Sequence, residues 1–421
     1  MISNTKLVSA VLVGLVVVLG VSACSESESD SQVSSTVEST TQGESSASIP
    51  AGSPLTEFTG DDFYAVPEPL PTGEHGQLIR YEPLDRSGNA DPAVEAMGYR
   101  IMYLSESLAG VPIAVTGVAS VPTAEAPKDG RPLATLAHGT TGIADECAPS
   151  KELTRLDMGL AVSVLGAEFV IAGTDYEGLG TPGRHPYLVG ESEGRSTMDA
   201  IVAAGQLPDA DPGKRVAILG YSQGGHGALW ASQVAADWTP ELQVVGTFAG
   251  APASETDVIF AAAPSLAGFA YMLVAGYAAA YPQADPALFL TELGLSRLDE
   301  VDTGCAGELI AGFSGTNPAE LVRPEGPSTE PWKSLAAENI AGSEKTNDAP
   351  TLIIHSQKDE TVPIFFSELL LSRMCANGQV VERRVLPEGG HGAAALPAYQ
   401  QALSWVQERF AADPPAPVNS C

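Results

Sequence analysis

The segment RVAILGYSQGGHGALWASQVAA, residues 215–236, contains a strand-turn-helix pattern. Its apolar run at 215–219 predicts a buried strand, and residues 225–236 predict a helix. Between them lies a G-x-S-x-G sequence at 220–224, where glycines are needed because the turn is too tight for side chains. A serine on such a turn is exposed in front of the N-terminus of the helix. We therefore predict that Ser222 is a nucleophile.

Short apolar runs on both sides of this segment predict further strands. The first two form a β-rich pair, and the later ones are nearly continuous in apolar residues, as in parallel strands buried on both faces. Helix-like stretches such as 195–204 separate them, and alternating β and α elements indicate an open α/β sheet. The runs are at 100–104, 112–122, 132–137, 168–172, 244–248, 350–354 and 380–386.

The histidines downstream of Ser222 are candidates for a general base. A serine hydroxyl needs such a base at neutral pH, and an acid and then a histidine follow a nucleophile elbow along the chain. Only His355 and His391 lie well downstream, and His391 stands in a flexible GGHG turn after the strand-like run 380–386. We predict that His391 is the base. His355 ends a predicted strand and is expected to support the sheet, and His226 is expected to pack on the elbow helix.

The candidate acid lies in the turn after the strand at 350–354. The stretch HSQKDETVP (355–363) places two acidic residues, Asp359 and Glu360, in this turn. A carboxylate just past a strand end can reach the imidazole Nδ1–H and hold the ring in one tautomer. We favour Asp359 over its neighbour Glu360 as the partner of His391.

Two backbone N–H groups are needed to stabilise the charge that develops on an attacked carbonyl oxygen. One is expected from Gln223, the residue after the nucleophile, and the other from a loop that follows an earlier strand. The sequence AHGTTG at 137–142 fits this loop, with Thr140 or Thr141 as the donor. The alternative is that this loop only packs.

The negative charge of the chain argues against nucleic acid as a partner. The chain has 52 Asp and Glu against 21 Lys and Arg, a formal charge of −31, and we find no basic patch that would bind nucleic acid. Apolar residues make up 44% of the chain, which is enough for a sizeable core. No cysteine pair has C-x-x-C spacing and no cysteine stands beside a cluster of histidines, so we predict no metal site. The proposed serine chemistry needs no cofactor, so we predict none.

The N-terminal segment is typical of an export signal. Lys6 precedes an apolar run at 7–21, which is short for a membrane span, and Val-Ser-Ala then precedes Cys24. This ending resembles the bacterial lipobox, whose cysteine is acylated; an ordinary signal peptide followed by a stray cysteine is the alternative. We predict a lipoprotein signal peptide at 1–23, a disordered Ser-, Thr- and Glu-rich tether at 24–53, and attachment to the outer face of a bacterial cell membrane.

One region interrupts the α/β order. Helical patterns replace strands at 251–345, and residues 257–285 contain no charge between their two terminal aspartates. A membrane span and a plain buried helix pair are alternative interpretations of the uncharged stretch. We favour a helical cap over the active site, with an apolar acyl-binding surface, on a core formed by 54–250 and 346–421.

Besides Cys24, four cysteines remain in a chain predicted to be exported. Disulfides are their expected state outside the cytosol, and four cysteines allow three pairings. These residues are Cys147, Cys305, Cys375 and Cys421.

Several motifs together resemble the secretory lipase family of the fungal lipase A type. They are AHGTTG, DYEGLGTPGRHPYL (175–188), GYSQGG, HSQKDETVP and GGHG, and the resemblance covers about residues 60–421. It implies an α/β-hydrolase fold, with a mostly parallel sheet flanked by helices and a helical cap inserted between nucleophile and acid. It also implies hydrolysis of carboxylic esters, including acylglycerols.

The resemblance further implies roles for individual residues. The triad positions correspond to Ser222, Asp359 and His391. The implied disulfides are Cys147–Cys305 and Cys375–Cys421. One position departs from the family, since an acidic residue holds the second oxyanion donor there and the loop at 137–142 offers threonines here. Because the donor is a backbone N–H, this change need not alter the chemistry, and the choice between Thr140 and Thr141 stays open.

Taken together, these features predict a secreted serine hydrolase, a lipase or carboxylesterase, that acts on a small-molecule or lipid ester. We expect a monomer that touches the membrane only through its N-terminal anchor. A serine peptidase or amidase of the same fold is the alternative, and Glu177 is its candidate subsite for a free amine. A catalytically inactive surface-binding lipoprotein is a further alternative.

Overall fold

One β-sheet extends through the residues that the computed structural model describes, which are 56–84, 95–152, 156–345 and 347–421. The predicted signal peptide, Cys24 and the tether lie outside these residues. The strands of the described part are β1 (Leu78–Pro83), β2 (Ala96–Glu106), β3 (Pro112–Pro122), β4 (Arg131–Ala137), β5 (Val170–Thr174), β6 (Pro212–Tyr221), β7 (Gln243–Gly250), β8 (Thr351–Ser356) and β9 (Val381–Leu386).

The spatial order of the strands is β1-β2-β3-β5-β4-β6-β7-β8-β9. Neighbours from β5 to β9 in this order are parallel, whereas β1, β2 and β3 pair antiparallel and β3 pairs antiparallel with β5. The predicted mostly parallel α/β sheet is thus confirmed. The strand predicted at 168–172 begins later, because Glu168 is exposed and its N–H donates to the carbonyl of Leu165 in a turn.

Helices cover both faces of the sheet. Successive side chains of β6 point to opposite faces and pack against different helical layers. Val216 and Ile218 pack with Ile201 of one helical layer, whereas Leu219 packs with Tyr399 of the opposite layer. The helices of the described residues are α1 (Leu156–Leu165), α2 (Gly190–Ala204), α3 (Gln223–Trp238), α4 (Thr256–Ala262), α5 (Ala267–Ala280), α6 (Pro286–Phe289), α7 (Glu292–Leu295), α8 (Ala306–Gly312), α9 (Trp332–Glu338), α10 (Phe365–Ala376) and α11 (His391–Phe410).

The chain between β7 and β8 is helical and holds α4 to α9. Its interior is a cluster of aromatic and aliphatic side chains in which Tyr271, Phe289 and Trp332 are completely buried. Helix α5 lies inside this cluster, and burial on nearly all sides accounts for its lack of charge. In the part of the chain that the structure describes, no helix is long and apolar enough to cross a membrane.

Two disulfides join distant parts of the chain. Cys147 pairs with Cys305, across 158 residues, and links the loop after β4 to the residue before α8. Cys375 pairs with Cys421 and holds the C-terminus against α10. These are the pairings that the resemblance implied.

Candidate active site

The serine of the G-x-S-x-G sequence occupies the turn between β6 and α3. Ser222 has φ 62° and ψ −122°, a conformation that L-residues rarely adopt, and its N–H donates to the carbonyl of Gly250 at 2.9 Å. The turn requires glycine on both sides, since a Cβ on Gly220 would collide with the backbone of Gly224, and one on Gly224 with that of Ala137. The predicted nucleophile elbow is therefore present at Ser222.

A chain of hydrogen bonds connects Ser222 to His391 and Asp359. Oγ of Ser222 lies 2.9 Å from Nε2 of His391, and Nδ1 of His391 lies 2.7 Å from Oδ2 of Asp359. Asp359 follows β8 and His391 is the first residue of α11, so two neighbouring strand ends bring them together. In this geometry Nδ1–H donates to the carboxylate, which leaves Nε2 free to accept the serine proton.

The Asp359 carboxylate is held by several donors. Its Oδ1 accepts from the N–H groups of Thr361 and Val362 at 3.0 and 2.7 Å. Burial by itself raises the pKa of this carboxyl, but the hydrogen bonds from His355, His391 and the Val362 N–H outweigh it and hold the pKa well below its usual range. Asp359 is therefore ionised at neutral pH, as the partner of an imidazolium must be.

His355 has a more specific position than the sequence indicated. It lies in β8 and is buried, with Nε2 donating to the carbonyl of Val362 at 2.9 Å and lying 3.4 Å from Oδ2 of Asp359. It therefore supports the turn that carries the acid. The four-residue spacing between His355 and Asp359 at the end of a strand was the signal that could have indicated this contact.

Glu360, the competing candidate acid, contacts His391 through the backbone. Its Oε2 accepts from the N–H of His391 at 3.0 Å, while the imidazole ring is turned toward Asp359. Glu360 is exposed and lines the cavity in front of Ser222. Glu360 therefore contacts the backbone at the N-terminus of α11, whereas Asp359 contacts the imidazole ring.

The predicted oxyanion loop lies beside the serine. Thr140 and Thr141 line the same cavity as Ser222, and Gln223 begins α3 directly behind it. The Oγ1 of Thr140 lies 2.8 Å from the hydroxyl of Tyr187, a residue whose part in this loop the sequence did not indicate. The carbonyl of Thr141 accepts a hydrogen bond of 2.8 Å from the N–H of Ala306, the first residue of α8. This bond connects the loop to the helical insertion.

A cavity of about 900 Å³ opens in front of Ser222 and His391. Its wall from the helical insertion is apolar and comes from α4, the first half of α5 and α8. The residues of this wall include Val258, Ile259, Ala262, Leu266, Phe269, Leu273 and Ile310.

The second half of α5 does not reach the cavity, so only part of the uncharged stretch between Asp257 and Asp285 contributes to the cavity wall. Tyr277 is buried, and its hydroxyl donates to the carbonyl of Leu188 instead. Glu177, the candidate subsite for an amine, is also absent from the lining, since its carboxylate accepts from the hydroxyl of Ser192 at 2.6 Å. Among the residues that the structure describes, no group of three or more His, Cys, Asp and Glu is placed to hold a metal ion.

The sheet, the elbow and the serine–histidine–aspartate arrangement at its edge define an α/β hydrolase. Solved structures of this fold are similar over most of the chain. Candida antarctica lipase A in its closed state has a TM-score of 0.69 and 22% identity, covering 83% of this chain and 85% of that one. The rice cell wall degrading esterase LipA from Xanthomonas oryzae has a TM-score of 0.65 and 20% identity, covering 80% and 99%.

The chain belongs to the secretory lipase family, whose sequence profile matches residues 148–417. Lipase A of Moesziomyces aphidis is 26% identical over 377 residues, which are 83% of this chain and 79% of that protein. A Mycobacterium tuberculosis (strain CDC 1551 / Oshkosh) relative named "Probable inactive lipase" is 21% identical over 84% of this chain and 82% of its own length. Membership in the family makes this chain an extracellular lipase or esterase, that is, a hydrolase of esters.

Proposed function

We propose that the protein hydrolyses carboxylic esters through an acyl-enzyme on Ser222. The observation that carries the proposal is the continuous hydrogen-bonded path from Ser222 Oγ through His391 to Asp359, at the base of an apolar cavity. Ser222 attacks the ester carbonyl while Nε2 of His391 takes its proton, and Asp359 stabilises the imidazolium that forms. The proton then passes to the leaving alcohol as the tetrahedral intermediate collapses.

Stabilisation of the oxyanion is assigned to backbone donors on both sides of the serine. Gln223, the first residue of α3, is assigned one backbone N–H donor, and the loop of Thr140 and Thr141, which lines the cavity together with Ser222, is assigned the other. A water molecule activated by His391 then attacks the acyl-enzyme carbonyl and releases the carboxylic acid. Nothing in this sequence of steps requires a group other than these side chains, backbone donors and water.

We assign acylglycerols and related lipid esters as the substrate class. The wall contributed by the helical insertion consists of aliphatic and aromatic side chains apart from Ser265, as suits an acyl chain. The removal of acyl surface from water at about 25 cal/mol per Å² provides the binding energy. Ser222, His391, Thr140 and Thr141 are among the polar residues of the lining, and the ester carbonyl must lie beside Ser222.

The test is hydrolysis of p-nitrophenyl esters from C2 to C16 by the purified full chain. We expect activity that extends to long acyl chains and that Ser222→Ala removes, while the exposed Ser163→Ala on α1 leaves it unchanged. A fluorophosphonate probe should label the wild type and not Ser222→Ala. Absence of both labelling and turnover in the folded wild type would contradict the proposal and support an inactive binding protein.

Matched anilides test the amide-cleaving alternative in the same assay. Esters and amides both pass through an acyl-enzyme, so the triad does not distinguish them. With Glu177 outside the cavity lining, we expect ester turnover to exceed anilide turnover by several orders of magnitude. Faster anilide turnover would assign the protein as an amidase or peptidase.

We also propose that the enzyme acts while tethered to the outer face of the bacterial cell membrane. The support comes from the sequence, where a lipobox-like ending precedes Cys24 and a polar stretch separates it from the folded residues. Metabolic labelling with an alkyne fatty acid should mark the wild type and not Cys24→Ala, and the variant should leave the membrane fraction. Equal membrane retention of the two would contradict the tether.

A further inference from the structure

A completely buried carboxylate lies behind the nucleophile elbow. Glu193, on α2, has no exposed surface, and its Oε1 accepts two hydrogen bonds. One comes from the side-chain amide of Gln223 at 2.9 Å, and the other from the N–H of Leu188 at 3.1 Å. The two donors belong to different segments, the start of α3 and the loop before α2, which we take as the two sides of the proposed oxyanion site, and a single oxygen atom connects them.

The first side is Gln223 itself. Its Nε2 carries two hydrogens, of which one reaches Glu193 and the other reaches Nε2 of His185 at 2.9 Å. Burial lowers the pKa of His185 to about 4, and its Nδ1–H donates to the carbonyl of Glu177 at 3.0 Å, so its Nε2 is an acceptor. Gln223, whose backbone N–H is a proposed oxyanion donor, is therefore held through both hydrogens of its side-chain amide.

Glu193 is connected to the second side of the proposed oxyanion site through Leu188. This residue has φ +57°, a left-handed conformation that residues other than glycine rarely adopt, and the Glu193 carboxylate accepts its N–H. The preceding residue, Tyr187, lines the cavity and its hydroxyl lies 2.8 Å from Oγ1 of Thr140. The position of the Thr140 loop therefore depends on a backbone turn that Glu193 holds.

The charge of Glu193 is matched within the core. Its Oε2 lies 2.7 Å from Nδ1 of His226, which is also completely buried, and the Nε2–H of His226 donates to the carbonyl of Asn339 at 2.8 Å. One proton therefore lies between the carboxylate and Nδ1. This pairing makes a buried acid tolerable, since an unpaired carboxylate in the interior is strongly unfavourable.

We propose that Glu193 is a positioning residue that sets both sides of the oxyanion site, through Gln223 on one side and through Leu188, Tyr187 and Thr140 on the other. The inference rests on the proposed function of Ser222. Each connection is a single hydrogen bond, so each can be removed by one substitution. Gln223→Met removes the side-chain amide and keeps the backbone N–H, and Tyr187→Phe removes the hydroxyl that contacts Thr140.

A matched control for the tyrosine change exists in the same core. The hydroxyl of Tyr103 is completely buried and hydrogen-bonded to Thr174 and to the carbonyl of Ser196, away from the cavity. Tyr103→Phe therefore removes a buried, hydrogen-bonded hydroxyl from a place away from the cavity. If only general packing matters, it should act like Tyr187→Phe.

The measurement compares a tetrahedral adduct with a planar ligand. An aliphatic trifluoromethyl ketone forms a tetrahedral adduct with the serine and needs the oxyanion donors, whereas the matching methyl ketone binds as a planar carbonyl.

We expect Gln223→Met and Tyr187→Phe to lower kcat for p-nitrophenyl butyrate by about 10- to 100-fold, the cost of small displacements in an active site. Affinity for the trifluoromethyl ketone should fall in parallel, and affinity for the methyl ketone should change less than about threefold. Tyr103→Phe should leave all three values unchanged.

Glu193 itself is tested by a pair of substitutions. Glu193→Leu removes the shared acceptor, whereas Glu193→Gln keeps an acceptor for Gln223 and Leu188 and offers an N–H to His226. We expect Glu193→Gln to restore most of the kcat that Glu193→Leu loses. If Glu193→Leu does not fold, the Gln223 and Tyr187 variants decide the question.

The outcomes separate the two proposals. If the wild type shows no Ser222-dependent turnover, the proposed function fails and this inference fails with it. If the wild type is active but Gln223→Met and Tyr187→Phe retain kcat and ketone affinity, only the inference is overturned. Parallel losses of affinity for both ketones would also overturn it, because they would indicate general damage to the cavity.

Discussion

His355 lies against Asp359, with 3.4 Å between Nε2 of the imidazole and Oδ2 of the carboxylate. The same oxygen is 2.7 Å from Nδ1 of His391, so two imidazoles share one acid. His355 also donates to the carbonyl of Val362, and this fixes the turn that aims the carboxylate at the active site. The Asp359 carboxylate is thus held by a residue of the preceding strand as well as by His391.

Replacement of Asp359 by asparagine should lower kcat for p-nitrophenyl esters by about 10³- to 10⁴-fold, because the imidazole is then held in the wrong tautomer. Glu360→Gln provides the matched control, since it changes the adjacent acid, which accepts from the backbone N–H of His391 while the imidazole ring is turned toward Asp359. We expect a loss of less than about tenfold for Glu360→Gln. Equal losses for the two variants would contradict the assignment of Asp359 as the acid.

Stability should depend on pH through His75, which lies against the buried Asp199 of α2 at 2.7 Å. The hydrogen bond to Asp199 raises the pKa of His75 against the lowering effect of burial, and the charges of Asp199, Glu106 and Glu241 raise it further. A raised pKa means that the stabilisation is complete below about pH 6.5 and is lost as the pH rises through the higher folded value.

The expected result is a difference in unfolding free energy between the wild type and His75→Gln that shrinks from pH 6 to pH 8. Urea unfolding at a series of pH values measures it, and the subtraction removes the titration of groups that do not interact with His75. A difference that stays constant or grows with pH would show that the ion pair does not contribute in this way.

The two disulfides should differ in their effect on activity but not greatly in their effect on stability. Loop entropy predicts a loss of about 5 kcal/mol for Cys147→Ala/Cys305→Ala and about 4 kcal/mol for Cys375→Ala/Cys421→Ala, since their sequence separations are 158 and 46 residues. Only the first pair anchors α8 next to the carbonyl of Thr141. We expect kcat to fall by about tenfold or more in that variant alone. Urea unfolding and ester assays test both statements, and equal kcat values in the two variants would contradict the second.

The preference for long acyl chains should depend on α4. Ala262 lines the cavity, whereas Ala261, its neighbour on the same helix, is exposed and does not. Ala262→Phe should lower kcat/KM for a C12 ester about tenfold relative to a C4 ester, which corresponds to ~1.4 kcal/mol of overcrowding. Ala261→Phe should leave the chain-length profile unchanged. Equal effects of the two substitutions would show that the α4 wall does not contact the acyl chain.

Local sequence was sufficient where the structure itself is local. The elbow at Ser222 depends on glycines within two residues and on the strand and helix that flank them, so consecutive letters predict it. The order of Ser222, Asp359 and His391 along the chain follows from the order of parallel strands, whose carboxyl ends meet at one edge. These features therefore required no knowledge of distant contacts.

The sequence does not distinguish the roles of adjacent residues with similar chemistry. Asp359 and Glu360 both reach His391, but one meets the ring and the other the backbone N–H. The direction of each carboxylate is set by the closed turn, in which Oδ1 of Asp359 accepts from Thr361 and Val362. Which of the two carboxylates meets the ring depends on the backbone and side-chain angles of the turn, and residue type does not determine those angles.

By itself, the sequence determined the α/β class, the nucleophile elbow and the family, because each depends on short motifs and on their order. The tertiary structure alone decided what holds those motifs in place. Glu193 is a charged residue in a helix, a type that is mostly exposed in proteins, and only packing against His226, 33 residues further on, makes it a buried acceptor. Burial and long-range hydrogen bonding arise when distant segments meet, and the spacing of residues within one segment carries no information about that meeting.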